Sequence, residues 1–148
     1  MREGAAVSPP TLVALLICDQ VIDDRLTNKK SAIGLFNTVL VPSVPNRIHQ
    51  LTILAALTEI TAKTPLELRL VRDADNAVLM ATQGFVEAPN PLATVDLVFS
   101  MQGIHIPTAG QFAFELLAAG ETLGRRRFQV LVGQRPGPPA GESQPSVE

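Results

Sequence analysis

Apolar and polar residues alternate with period two along most of this chain. Val95, Leu97, Phe99 and Met101 are interleaved with Thr94, Asp96, Val98 and Ser100, the cleanest such run. Leu66, Leu68 and Leu70 alternate with Glu67 and Arg69, and Phe112, Phe114 and Leu116 with Gln111, Ala113 and Glu115. Each pattern predicts a strand with one buried and one wetter face. Residues 12–18 are apolar throughout and too few for an isolated helix, which predicts a strand buried on both faces. Residues 19–31 carry turn and solvent residues and predict a loop; residues 32–41 then form a second strand. Gly34 inside that strand marks a bulge or a close backbone approach.

The remaining elements follow from their neighbours. Residues 51–61 mix helix and strand formers and are assigned as strand because clear β-pattern follows. Asp73, Ala74, Asp75 and Asn76 make a hairpin turn, and residues 77–86 return as the partner strand. In residues 122–132, Phe128 and Val130 face inward. Strict alternation would turn Arg126 inward too, so a bulge near Gly124 is expected.

Short strands with turn signals every ~8–12 residues, and no alternating helices, predict an all-β fold. The expected architecture is an antiparallel β-sandwich of about seven or eight strands, an immunoglobulin-like or C2-like Greek key. Residues 1–10 read as a disordered lead-in and 11–133 as the sandwich domain. Residues 134–148, rich in Pro, Gly and Ser, read as a disordered tail.

Composition changes this picture in three ways. A single cysteine, Cys18, rules out an intrachain disulfide framework and a multi-cysteine zinc site, and fits a cytoplasmic protein. The apolar run ending at Cys18 faintly resembles a lipoprotein cleavage box, but Ile17 is too large for the position before that cysteine and the run is too short to span a bilayer. No membrane association is expected. A formal net charge of -2 offers no basic field for a phosphate backbone, so no nucleic-acid partner is expected either. With six Phe and neither Trp nor Tyr, sugar-stacking platforms are absent. A 46% apolar content is accounted for by an Ala-, Val- and Leu-rich core or by a sticky surface that a partner covers.

Three motifs in order carry a likeness. These are Leu16-Ile17-Cys18-Asp19, then Ala32-Ile33-Gly34-Leu35-Phe36-Asn37 with Pro42-Ser43-Val44-Pro45, then Pro107-Thr108-Ala109-Gly110-Gln111-Phe112-Ala113-Phe114 with Arg127-Phe128-Gln129-Val130. They resemble a family of small bacterial all-β proteins of unknown function. The resemblance implies a sandwich of immunoglobulin-like or C2-like character and carries over no activity. Phe112 stands where such a corner often has a Tyr.

No catalytic set emerges. Cys18 ends an apolar run and precedes an acid, the wrong setting for a thiolate nucleophile. His49 and His105 lack metal-ligand spacing. Arg125-Arg126-Arg127 places at most two side chains on one face and reads as protection of an edge strand. The sequence therefore predicts a non-enzymatic module without cofactor or metal that binds a protein partner or associates with itself. The alternative is a calcium- or small-ligand-binding C2-like sandwich using the turn from Asp73 to Asn76. The candidate partner-binding or structural rim is Asp19, Asn37, Pro42 and Pro45. Asp19 is expected to be hydrogen-bonded to backbone beside Asn37, with residues 12–18 and 32–41 paired.

Overall fold

The alternation resolves into nine strands, with no helix, in a computed structural model that describes residues 8–133. They are β1 (Thr11–Asp24), β2 (Lys29–Leu35), β3 (Thr38–Val41), β4 (Asn46–Thr58), β5 (Thr64–Arg72), β6 (Ala77–Val86), β7 (Val95–Ile106), β8 (Gly110–Ala118) and β9 (Glu121–Val132). A four-stranded sheet in the order β2-β1-β4-β7 packs on a five-stranded sheet in the order β3-β9-β8-β5-β6. The chain is the expected all-β sandwich. Every pairing is antiparallel except β3 with β9, which is parallel. Residues 1–7 of the expected 1–10 lead-in and the expected tail at 134–148 lie outside the described residues; at the end of the lead-in, Pro10 is buried.

The inward rows read from the sequence form the core. Phe112, Phe114, Leu116, Leu68 and Leu70 are fully buried, against Ile17, Leu51, Ile53 and Leu57 of the other sheet. Phe128 is stacked between Phe112 and Phe114, with ring centroids 5.7 and 5.5 Å away, a separation at which offset aromatic rings attract.

Three expectations change. Strand β1 does not stop at Cys18 but runs on to Asp24, and the expected loop shrinks to a turn at residues 25–28. Asp24 Oδ1 accepts from the Leu26 and Thr27 amides there, and Asn28 takes φ 59°. Asp19, Gln20, Asp23 and Asp24 are exposed because this end of β1 has little to bury; its last residues pair with Lys29, Lys30 and Ser31 of β2.

The second change is that the apolar stretch 32–41 is two strands in different sheets. β2 pairs with β1, Cys18 opposite Leu35, and the chain then crosses at Phe36 and Asn37 so that β3 joins β9. Of that stretch only Leu35, opposite Cys18, and the Phe36 amide, which donates to the Ile17 carbonyl, reach residues 12–18; Ile33 and Ala32 lie beside Gln20 and Val21.

The third concerns Arg126. A bulge does occur near Gly124, but it falls at Leu123, between the pairs Leu116–Gly124 and Leu117–Thr122. From Gly124 onward the alternation is unbroken, so Arg126 stands opposite Phe114 and shares the core face with Phe128. Gly124 itself sits against the Leu12 side chain, where a Cβ would collide. The arginine run keeps an edge position locally: β9 lies between β3 and β8, but β3 covers only Gln129–Val132, so Arg125–Arg127 pair with β8 alone.

Candidate functional site

Asp19 belongs to a groove of about 670 Å³ where the chain crosses between sheets. Leu35, Leu40 and Ile48 form apolar walls, and Asp19 and Gln50 supply the polar groups. Gly34 makes the crossing possible in two ways. Its φ of +75° is a conformation that L side chains rarely adopt, and the Asp19 carboxylate occupies the space a Cβ would need. The expected hydrogen bond from backbone to the Asp19 carboxylate is replaced by a different arrangement. The Asp19 main-chain carbonyl accepts from Thr52 Oγ1 at 3.1 Å and from Gln50 Nε2 at 3.3 Å.

The other rim residues do not gather around Asp19. Asn37 turns toward β9, where its Oδ1 accepts from Arg126 Nη2 at 3.2 Å and its carbonyl from the Gln129 amide at 2.9 Å. Pro42 and Pro45 are exposed in the β3–β4 turn, which Asn46 Nδ2 braces by donating to the Ser43 carbonyl at 3.1 Å. Arg126 carries the one side-chain nitrogen, Nε, that is buried without a hydrogen-bond partner among the described residues.

Cys18 is fully buried, and its thiol donates to the carbonyls of Gln20 at 3.5 Å and Thr52 at 3.6 Å. Burial, then the neighbouring Asp19, push the thiol pKa up. Thiolate chemistry is thereby opposed. In the β5–β6 turn, Arg72 pairs with Asp75 at 2.9 Å and Arg125 with Asp73 at 3.6 Å. Arg125 also pairs with Glu115. Both carboxylates of the candidate calcium turn thus face guanidinium groups. Among the described residues, no three His, Cys, Asp or Glu side chains converge as metal ligands.

Sequence reasoning missed a different surface, the free edge of β6. Among the described residues the two sheets end in four edge strands, and three of them are blunted. β2 begins with Lys29 and Lys30, the latter paired with Asp23 at 2.9 Å. β3 has four residues and is followed by Pro42. β7 carries Asp96 and takes a positive φ of +64° at Gly103, whose carbonyl accepts from Arg47 Nη1 at 2.8 Å. The ten residues of β6, AVLMATQGFV, contain no charge and no proline. Charges, prolines and short length are the usual means by which an edge avoids pairing with another chain. Phe85 is 64% exposed and Val78 51% exposed on this strand, and Lys63 Nζ lies 5.0 Å from the Phe85 ring centre. Composition singles out the strand, since no other of comparable length lacks both charge and proline, but only the strand order shows that it is an edge.

The sequence profile of the Family of unknown function (DUF6941) matches residues 13–131. The chain belongs to this family. No curated protein matches it. Among solved structures it is similar to Pseudomonas fluorescens alkylpurine DNA glycosylase AlkC bound to DNA containing an abasic site analog. The TM-score is 0.50 and the identity 10%, over 83% of this chain and 30% of that one. The likeness is one of fold, and this chain spans less than a third of the glycosylase's length. It does correct the exclusion of nucleic acid argued from charge, because a solved chain containing this fold sits in a complex with DNA. Net charge is a sum over the whole surface and does not describe any one face of it; Arg125 and Arg127 are both exposed here. No helix among the described residues is long and apolar enough to cross a membrane.

Proposed function

We propose that this member of the family is a non-enzymatic β-sandwich module that binds a protein partner, or a second copy of itself, by strand addition. A single observation carries the reading: β6 is a ten-residue sheet edge with neither charge nor proline that exposes its own Phe85 and Val78. Such an edge presents unpaired N–H and C=O groups to an incoming strand, whose side chains then meet alternate faces. The lone buried thiol suits a reducing, cytoplasmic setting. The calcium-binding alternative has lost its motive, since Asp73 and Asp75 already pair with arginines.

The test is selection of extended peptides from a random displayed library on the immobilised protein, followed by binding to Gln83→Lys. Gln83 is exposed in mid-strand, so the variant should fold. Binders using the edge should lose about tenfold or more in affinity for the variant if they carry a basic residue opposite it. They should also protect β6 amides from hydrogen exchange. Binders that hold Gln83→Lys equally well and leave β6 exchange unchanged would place the site elsewhere.

A further inference from the structure

We propose that the strand added to β6 is the β6 of a second copy, running antiparallel about a twofold axis at Gln83. This rests on the reading of β6 as the docking edge. The register follows from which residues share a face. Phe85, Gln83 and Ala81 stand opposite Pro65, Glu67 and Arg69 on the outer face, and Gly84, Thr82 and Met80 opposite Leu66, Leu68 and Leu70 on the core face. The pairing shifts between Leu70–Met80 and Val71–Val78, so Leu79 is a bulge and the regular part of the edge is residues 80–86.

An axis through Gln83 pairs the whole of that regular part with itself. Met80 then faces Val86 of the other copy, Ala81 faces Phe85, Thr82 faces Gly84, and Gln83 faces Gln83. Each residue meets one from its own face, as a continuous sheet requires. Three of the four pairings set a larger side chain against a smaller one. Exposed Phe85 gains the neighbour it lacks, and Gly84, beside which a Cβ would meet nothing within 4 Å, leaves room for Thr82. The absence of charge on β6 now has a specific use. A twofold axis through Gln83 sets a charge at or beside that position close to its own copy, so an edge meant to pair with itself must carry none near the axis. Lys63 and Glu87 flank only the Phe85 end of the strand and are kept apart from their copies by the antiparallel run. The product is one continuous sheet formed from the two five-stranded sheets.

The experiment uses the full chain, with sedimentation and thiol cross-linking. Cys18 is buried, so a cysteine placed on β6 is the reactive one. Wild type should sediment as two 15.8 kDa chains at micromolar concentration. Gln83→Lys, which sets like charges on the axis, should weaken the dimer by about tenfold or more with unchanged far-ultraviolet circular dichroism. Gln83→Cys treated with diamide should give a disulfide-linked dimer on a non-reducing gel, because directly opposed residues of an antiparallel pair lie within reach of that bond. Phe85→Cys, which faces Ala81, should not. A wild type that stays monomeric at every concentration overturns the proposal, as does a dimer indifferent to Gln83→Lys or one that Phe85→Cys links as well as Gln83→Cys. If wild type is monomeric while selected peptides still discriminate Gln83→Lys, the edge reading stands and the second copy alone is wrong.

Discussion

On one side of the sandwich the chain crosses from β2 to β3, two lysines open one edge strand, and Pro42 ends the other after four residues. On the opposite side, β6 closes the five-stranded sheet with ten uncharged residues and an exposed phenylalanine. Both sides are built over the same core, so packing does not explain the contrast. An edge left open is a hazard that sequences ordinarily remove with one lysine or proline. Its retention on one side, where the other is blunted several times over, is the reason to assign the open side an interaction.

The largest effect should separate core aromatics from edge aromatics. Phe114→Ala empties a fully buried site stacked on Phe128 and should cost ~3–5 kcal/mol of unfolding free energy by urea denaturation. Phe85→Ala, at the open edge, should stay within ~0.5 kcal/mol in the monomer, as exposed substitutions do, while weakening association. If Phe85→Ala proved as damaging as Phe114→Ala, β6 would be part of the monomer's core rather than a docking edge.

That contrast also shows where the sequence stops being informative. The rows at Leu66–Leu70, Val95–Met101 and Phe112–Leu116 were legible because each buries one face, and burial writes period two into the chain. The outer half of β1 was not, because Asp19, Gln20, Asp23 and Asp24 are all exposed and the last two pair with lysines, so little burial marks the strand. The break inside residues 32–41 was hidden for the opposite reason. Apolar residues continue across Asn37, and hydrophobicity does not record a change of sheet. Of the rim, Asp19 and its neighbour Gly34 were legible through the odd placement of a glycine in a strand. The open edge was not, since an uncharged strand reads the same in the middle of a sheet as at its margin, and only strand order distinguishes them.

The next effect belongs to the closed side. Gly34→Ala forces an alanine to φ +75° and drives its Cβ into the Asp19 carboxylate. About 1–3 kcal/mol of destabilisation is expected from a strained backbone of this kind. Placing the substitution in an Asp19→Ala background should recover the collision and leave the backbone strain. Full recovery would mean that contact with Asp19, and not φ, makes glycine necessary.

Arg126 tests the same side with the opposite sign. Among the described residues its Nε is buried without a partner, and the one hydrogen bond of its side chain is to the exposed Asn37 amide group, which water can satisfy instead. Arg126→Met keeps an unbranched apolar stem and removes the unpaired group. Stability should be unchanged or higher by ~1 kcal/mol in urea, because an unsatisfied buried donor is a net cost. A clear loss would show that the Asn37 contact holds the crossover in place.

The smallest effect compares the hairpin turn of each side through pH. Asp24 in the β1–β2 turn has its pKa lowered chiefly by the Leu26 and Thr27 amides. Asp75 in the β5–β6 turn has its pKa lowered chiefly by the Arg72 guanidinium, with help from the Ala77 amide. A carboxylate whose folded pKa lies below its unfolded value binds its proton more readily in the unfolded chain. Its contribution is therefore present above the unfolded pKa and is lost as pH falls through the folded one, here at acid pH below about 4. Thermal melts from neutral pH downward should accordingly show Asp24→Asn and Asp75→Asn each less stable than wild type near neutrality, with the gaps closing in acid. Salt should separate the two. Added sodium chloride screens an exposed ion pair and should narrow the Asp75→Asn gap, while the backbone hydrogen bonds of Asp24 are far less sensitive. Equal sensitivity to salt would mean that Asp75 is held mainly by the turn amide and only incidentally by Arg72, which would leave that arginine free to meet a partner beside the open edge.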